Sequence, residues 1–316
     1  MGPVGTNDDD ATERALVRLA GWGAATADVR GVIVIGSRAR TSDHPADPWS
    51  DADIVLATSA PRRYVADGGW VRALGDPWLT YVETAPTGGG QPERRVVLAG
   101  GVEVDFAIVS SRLMRLGAWV VAALRAVPGA ARVVPRGLAE QLAVMHDIFG
   151  RGMRVLVDKD RTAARLQRFL APPPPRRPPS EREFLDLVER FWHGPIWSAK
   201  HIRRGELWRV KTLAEASRHA LLLQMVEWHA RACVGGDCDT WDRGRFLEEW
   251  ADPRARAALS DVFGRYDADD TWRALFASMD LFRWLARETA ARLGHRYPAD
   301  LDEHVTTWVT RFHAAR

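Results

Sequence analysis

The chain has 316 residues, 46% hydrophobic and 27% charged, with 44 basic against 41 acidic side chains and a formal net charge of +3. That length admits two ordinary domains, and the composition is that of a globular protein. Charge this close to balance does not point to nucleic acid, and no apolar run approaches a membrane span. The two cysteines, Cys233 and Cys238, make neither a disulfide framework nor a common zinc spacing.

The basic residues are almost all arginine; Lys159, Lys200 and Lys211 are the only lysines. A coding bias toward Arg and Ala accounts for this, and under it a surviving Lys is a candidate for a site that needs a compact ammonium. Residues 1–10 lack a signal-peptide core and read as a flexible tail on a cytoplasmic protein.

Asp10 and Glu13 have capping-box spacing ahead of an apolar face formed by Ala15, Leu16, Leu19 and Ala20, so a helix is predicted there. Val32 to Ile35 reads as a short buried strand, and Thr41 to Ser50, rich in Ser, Asp and Pro, as a loop. Asp51 to Leu56 is the next strand, with another at Trp78 to Glu83. Arg94 to Ala99 and Val102 to Val109 flank Gly100-Gly101, which signals a tight hairpin. A helix over Ser110 to Val127 and a strand at Arg154 to Val157 complete a small mixed sheet with helices, residues 11–170.

Residues 171–179 are dominated by proline, which lacks the donor N–H and fixes φ, so they are an extended linker. Ser180 and Glu183 repeat the capping-box pattern. Residues 180–316 then read as a helical bundle. Its apolar stripes are Phe184, Leu187, Val188, Phe191 and Trp192; Leu213, Ala216, Ala220, Leu223 and Val226; and Leu275, Met279, Phe282 and Leu285. The fold class is α+β, a mixed-sheet domain followed by a helical domain.

Gly36-Ser37 ends one strand, and Asp51-Ala52-Asp53 opens the next. In a strand, residues i and i+2 share a face about 6.6 Å apart along the chain, so Asp51 and Asp53 can bracket a divalent cation. Asp105, in a neighbouring strand, either adds a ligand or takes the proton from an attacking hydroxyl. Three carboxylates this close repel one another without a cation, and Mg2+, which favours oxygen ligands and retains waters, suits them. Gly36 allows backbone to approach a phosphate, and Ser37 offers a hydroxyl and an N–H. Arg38 and Arg40 can neutralise charge on a leaving pyrophosphate. The chemistry this pattern suggests is attack of an acceptor hydroxyl on the α-phosphate of a nucleoside triphosphate.

These residues resemble the polymerase-β-like nucleotidyltransferase superfamily, and more narrowly the aminoglycoside 6-adenylyltransferases of the streptomycin-modifying type. The resemblance is carried by Ile35-Gly36-Ser37-Arg38, Ser50-Asp51-Ala52-Asp53-Ile54-Val55 and Val104-Asp105-Phe106. It continues through Val155-Leu156-Val157-Asp158-Lys159-Asp160, Pro179 to Phe184, Glu189-Arg190-Phe191-Trp192, Ala199-Lys200, Val210-Lys211 and Met225 to Trp228. It implies transfer of AMP from Mg-ATP to an aminoglycoside hydroxyl. Asp51 and Asp53 would be metal ligands, Asp105 the general base or third ligand, and Ser37, Arg38 and Lys200 or Lys211 would hold the triphosphate. Ile35 stands where the family usually has Asn.

A cationic acceptor calls for an acidic cleft, expected between the two domains. Glu183, Asp186 and Glu189 fall at i+3 steps on one helix side, and Trp192 and Trp197 are candidates to pack on sugar faces. The alternatives are the same chemistry on another natural product, a protein or a nucleic acid, or a non-catalytic nucleotide-binding relative. A monomer is expected over an oligomer.

Overall fold

The computed structural model describes residues 8–40, 44–84, 92–126, 137, 149–169, 177–235, 238–241 and 243–315. The chain divides into two compact units, Met1–Pro174 and Pro175–Arg316. Most of the proline-rich run lies outside the described residues.

The first unit is built on a six-stranded sheet in the order β3-β4-β5-β2-β1-β6. The strands are β1 (Val29–Ile35), β2 (Ala52–Thr58), β3 (Pro77–Thr84), β4 (Pro92–Leu98), β5 (Val102–Ser110) and β6 (Arg154–Asp158). Only β2 and β5 pair in parallel; every other neighbouring pair is antiparallel, so the sheet is mixed.

Alternation along the strands sends apolar side chains to both faces. Val32, Val34, Ile54, Leu56, Val104, Phe106 and Ile108 join a core with Leu16 and Leu19 of helix α1 (Asp8–Ala25) and Tyr64 of α2 (Pro61–Ala66). Ile33 and Val55 on the other face pack with Ala118 of α3 (Ser111–Ala126) and Ala163 and Leu166 of α4 (Thr162–Phe169). The sheet therefore lies between two helical layers, and alternation puts Asp53, Asp105 and Arg95 on the α3–α4 face, whereas Arg94 is buried on the other, bonded to the Tyr64 and Val65 carbonyls.

Two local expectations change. The first helix begins at Asp8, so Asp10 lies inside it rather than capping it, and residues 8–10 are helix rather than tail. Glu13 instead pairs with Arg154 at 2.9 Å. The β4–β5 hairpin has a three-residue loop, Ala99-Gly100-Gly101, since Leu98 pairs with Val102. Gly100 and Gly101 have φ of +89° and +80°, a backbone that glycine adopts without strain.

The described helices of the second unit include α5 (Glu181–Arg203), α6 (Ala216–Val234), α7 (Pro253–Val262), α8 (Ala268–Leu293) and α9 (Ala299–Ala314), with shorter helices, turns and coil between. Ser180 caps α5 through a complete capping box with Glu183. The first and third predicted stripes are buried, and the rings of Phe191 and Phe282 stack 3.6 Å apart. The middle stripe holds only at its C-terminal end, where Val226 is buried and Leu223 half-buried. Leu213 is exposed, and so are Ala216 and Ala220. A π-helical segment, Val210–Glu215, precedes α6 and changes the periodicity on which a 3.6-residue stripe depends. The buried side carries Glu215 and Arg218 instead.

Candidate active site

One straight row of residues crosses the sheet. Ile35 of β1 is paired with Asp53 of β2, Asp53 with Asp105 of β5, Asp105 with Arg95 of β4, and Arg95 with Tyr81 of β3. Cross-strand partners project to the same face, so the acids and Arg95 stand together at the end of the row where β1 runs into Gly36.

There the backbone enters a single 3-10 turn, Gly36–Ala39. Gly36 has φ of +68°, and a Cβ at this position would collide with the Asp53 carboxylate. Only glycine lets the turn close onto that side chain. Gly152, at φ +127°, performs a similar service from the loop before β6, because a Cβ there would sit 2.6 Å from the Ala39 carbonyl oxygen. Ser37 is buried, and its carbonyl accepts N–H bonds from Arg40 at 3.2 Å and Ala46 at 3.1 Å.

Arg38 donates from Nε to the Ser50 and Asp51 carbonyls at 3.1 Å each, and from Nη2 to Ser50 at 2.7 Å. It ties the turn to the residue that begins the acidic pair. Arg40 reaches the His44 carbonyl at 3.4 Å.

Carboxylate oxygens of Asp51, Asp53 and Asp105 all lie within 4.8 Å of one another, with Asp105 buried and the other two half-buried. Three hard anionic donors at this spacing fit a divalent cation such as Mg2+ that keeps part of its water shell. Gly36 places no side chain of its own against the Asp53 carboxylate.

Arg95 went unnoticed in the sequence. Its Nε donates to Glu83 at 2.8 Å, Nη2 pairs with Glu93 at 3.1 Å, and Nη1 makes a close ion pair with Asp105. Burial pushes its pKa down, but the bond to Glu83 and the charges of Glu93 and Glu83 outweigh this, and the net direction is up. Gly152 was also missed. Neither residue carries a local motif.

The residues expected to bind substrate from the second unit have varied surroundings. Glu183 accepts bonds from the Ser180 N–H and hydroxyl and pairs with Arg177. These contacts hold its carboxyl well below the usual range, the Arg177 bond foremost. Asp186 and Glu189 are exposed, and Asp186 lies 3.7 Å from Arg190. Trp192 does not offer a sugar platform: it is fully buried against Phe191 and Phe282, where a bulky aromatic side chain gains most from leaving water. Lys200 is exposed, with its ammonium 5.6 Å from the Trp308 ring. Lys211 is engaged internally, with Glu215 at 2.8 Å and the Gly264 carbonyl at 2.9 Å.

The parallel pair β2–β5 thus carries aligned acids beside a Gly-Ser turn, the groups that nucleotidyl transfer needs. The α+β class is as expected. Matching its residues 12–312, the model for streptomycin adenylyltransferase places this chain in that family. Over 131 residues it is 27% identical to the aminoglycoside 6-adenylyltransferase of Bacillus subtilis (strain 168), a match covering 41% of this chain and 45% of that protein. The match thus spans less than half the length of that relative. Among solved structures, the chain is similar to an aminoglycoside 6-adenyltransferase from Bacillus subtilis, at 16% identity and a TM-score of 0.40, over 96% of this chain and 97% of that one. It is also similar to a nucleotidyltransferase-like protein from Exiguobacterium sibiricum 255-15, at 11% identity and a TM-score of 0.30, over 89% and 78% of the two chains. Among the described residues, no helix is long and apolar enough to cross a membrane.

Proposed function

We propose that this protein transfers AMP from Mg-ATP to a hydroxyl of an aminoglycoside such as streptomycin and releases pyrophosphate. The observation that carries the reading is the convergence of Asp51, Asp53 and Asp105 beside the Gly36 turn, in a chain of this family. Asp51 and Asp53, grouped with Asp105, would hold the divalent ion. When bound, that ion neutralises charge on the triphosphate and its leaving group. The Gly36 turn lets backbone approach the phosphates, and Ser37 contributes its N–H there. Arg38 fixes the carbonyl side of Asp51, so its first effect is on the placement of that ligand. The Asp105 oxygen not engaged by Arg95 serves one of two roles, third ligand to that ion or acceptor of the hydroxyl proton from the incoming aminoglycoside.

Asp186 and Glu189 supply exposed negative charge suited to a polycationic acceptor. Glu183 is held by its cap and by Arg177, and contributes chiefly by fixing the start of α5. Lys200 remains a candidate for the triphosphate, whereas the partners of Lys211 favour a structural role. The protein is expected to work in the cytoplasm, where ATP is available.

The test supplies Mg-ATP with a panel of aminoglycosides and follows pyrophosphate release and acceptor mass. Addition of one AMP to streptomycin or a relative is expected. Pyrophosphate release with none of the panel modified would move the reading to another acceptor. Turnover that survives Asp53→Asn would sink the site assignment.

A further inference from the structure

Arg95 lies directly opposite Asp105 in the β4–β5 register, and its three guanidinium nitrogens each face a different carboxylate: Glu83 on β3, Glu93 on β4 and Asp105 on β5. Its side chain is 31% exposed and that of Asp105 11%. Five acids thus gather along one side of the sheet, namely Asp51, Asp53, Asp105, Glu93 and Glu83, and Arg95 bridges the triad to the other two. A planar fork with donors on three sides is suited to this as an ammonium is not.

We propose that Arg95 is a positioning residue, a resident counter-ion that holds Asp105 in the triad before a divalent cation arrives and keeps the triad's own affinity for that cation low. The inference rests on reading the triad as a metal site. Its physical content is a competition. The guanidinium occupies one oxygen of Asp105 and places a positive charge beside the position of the incoming ion. Removing it relieves that repulsion but leaves the acids to repel one another. A merely structural cross-strand brace would show only the second effect.

The experiment measures Mn2+ binding to the full-length, nucleotide-free protein by calorimetry, together with thermal melting in metal-free buffer. Wild type is compared with Arg95→Met, Arg95→Lys and Asp53→Asn. Arg95→Met is expected to bind Mn2+ on the order of tenfold more tightly, the size of the repulsion between a unit and a double charge a few ångströms apart even in a water-like dielectric. It is also expected to melt lower without metal and to regain that loss when Mn2+ is added. Arg95→Lys, which keeps the charge but not the fork, should bind Mn2+ like wild type and melt lower. Unchanged or weaker Mn2+ binding by Arg95→Met overturns the inference. If Arg95→Met does not fold, Arg95→Gln takes its place, judged by the same Mn2+ criterion. Wild-type Mn2+ binding that persists undiminished in Asp53→Asn would show that the ion is not at the triad, and the metal reading fails first. Loss in Asp53→Asn with no gain in Arg95→Met or Arg95→Gln removes the role of Arg95 alone.

Discussion

Asp53 and Asp105 stand directly opposite one another on the parallel strands β2 and β5. Residues 52 positions apart in sequence are thereby held as cross-strand neighbours, with Asp51 completing a group whose oxygens lie within 4.8 Å. Rigid strands set the separation of Asp53 and Asp105, while Asp51 stands one residue before β2. Asp53→Asn should therefore lower turnover on the order of a thousandfold, the scale of losing metal stabilisation of developing charge. The far-ultraviolet circular dichroism should not change, because the substitution is nearly isosteric. A loss of helix and strand signal along with activity would mean that Asp53 serves the fold instead.

Gly36 carries two separate demands, a left-handed φ of +68° and a Cβ that would strike the Asp53 carboxylate. Gly36→Ala meets both. The backbone cost alone is about 1–2 kcal/mol. The displaced carboxylate adds a functional cost, so turnover should fall by much more than the melting temperature implies. Measuring kcat and the melting curve of the same preparation separates the two. A modest activity loss that merely tracks stability would show that the turn is not held against Asp53.

Much of this was legible from residue order. The apolar runs around Asp53 and Asp105 predict two strands, with Asp51 and Asp53 on one face, and the Gly36-Ser37 turn falls where the sheet places it. The partner of Asp105 was not legible, for a reason of one residue. Had Gly100-Gly101 been a two-residue turn, position 96 would face Asp105 and bring Val96 to it. The loop has three residues, so Arg95 does. A register slip of one reverses every side chain, and a Gly-Gly pair does not specify which loop length forms. In the helical unit, the stripe through Leu213 and Ala216 failed because hydrophobic spacing presumes a uniform helix, and the π segment Val210–Glu215 is not uniform. Trp192 shows a different limit: periodicity correctly put it on the buried stripe, and the same residue cannot then face a ligand.

Glu215 sits between two cations in the second unit, Lys211 at 2.8 Å and Arg218 at 3.7 Å, and all three are largely buried. Burial lowers the Arg218 pKa against the opposing pull of Glu215. Glu215→Ala leaves two cations without their shared anion and should destabilise by about 3–5 kcal/mol. Arg218→Met removes one buried charge and retains much of the volume, so its effect should be far smaller and could be stabilising. Chemical denaturation of both variants checks the ordering; equal losses would show that packing, not charge, governs this site.

His219 provides the pH test. Burial lowers its pKa first, and the neighbouring Arg218 charge adds to this, while its Nε2 lies 3.2 Å from the Val262 carbonyl. The ring is thus held neutral in the folded protein, with Nε2–H as the donor. A base whose folded pKa is depressed binds protons more readily when unfolded, so the unfolded state is favoured as pH falls. Its contribution is fully present above the unfolded value of about 6.5 and is lost as pH falls toward the lower folded value. His219→Gln, which keeps a side-chain N–H but does not titrate, should flatten that part of the stability curve. Denaturant midpoints for both proteins between pH 8 and pH 5, read as a difference, isolate His219 from the other histidines. A wild-type curve that runs parallel to the variant across this interval would show that the ring is free to take up a proton in the folded state.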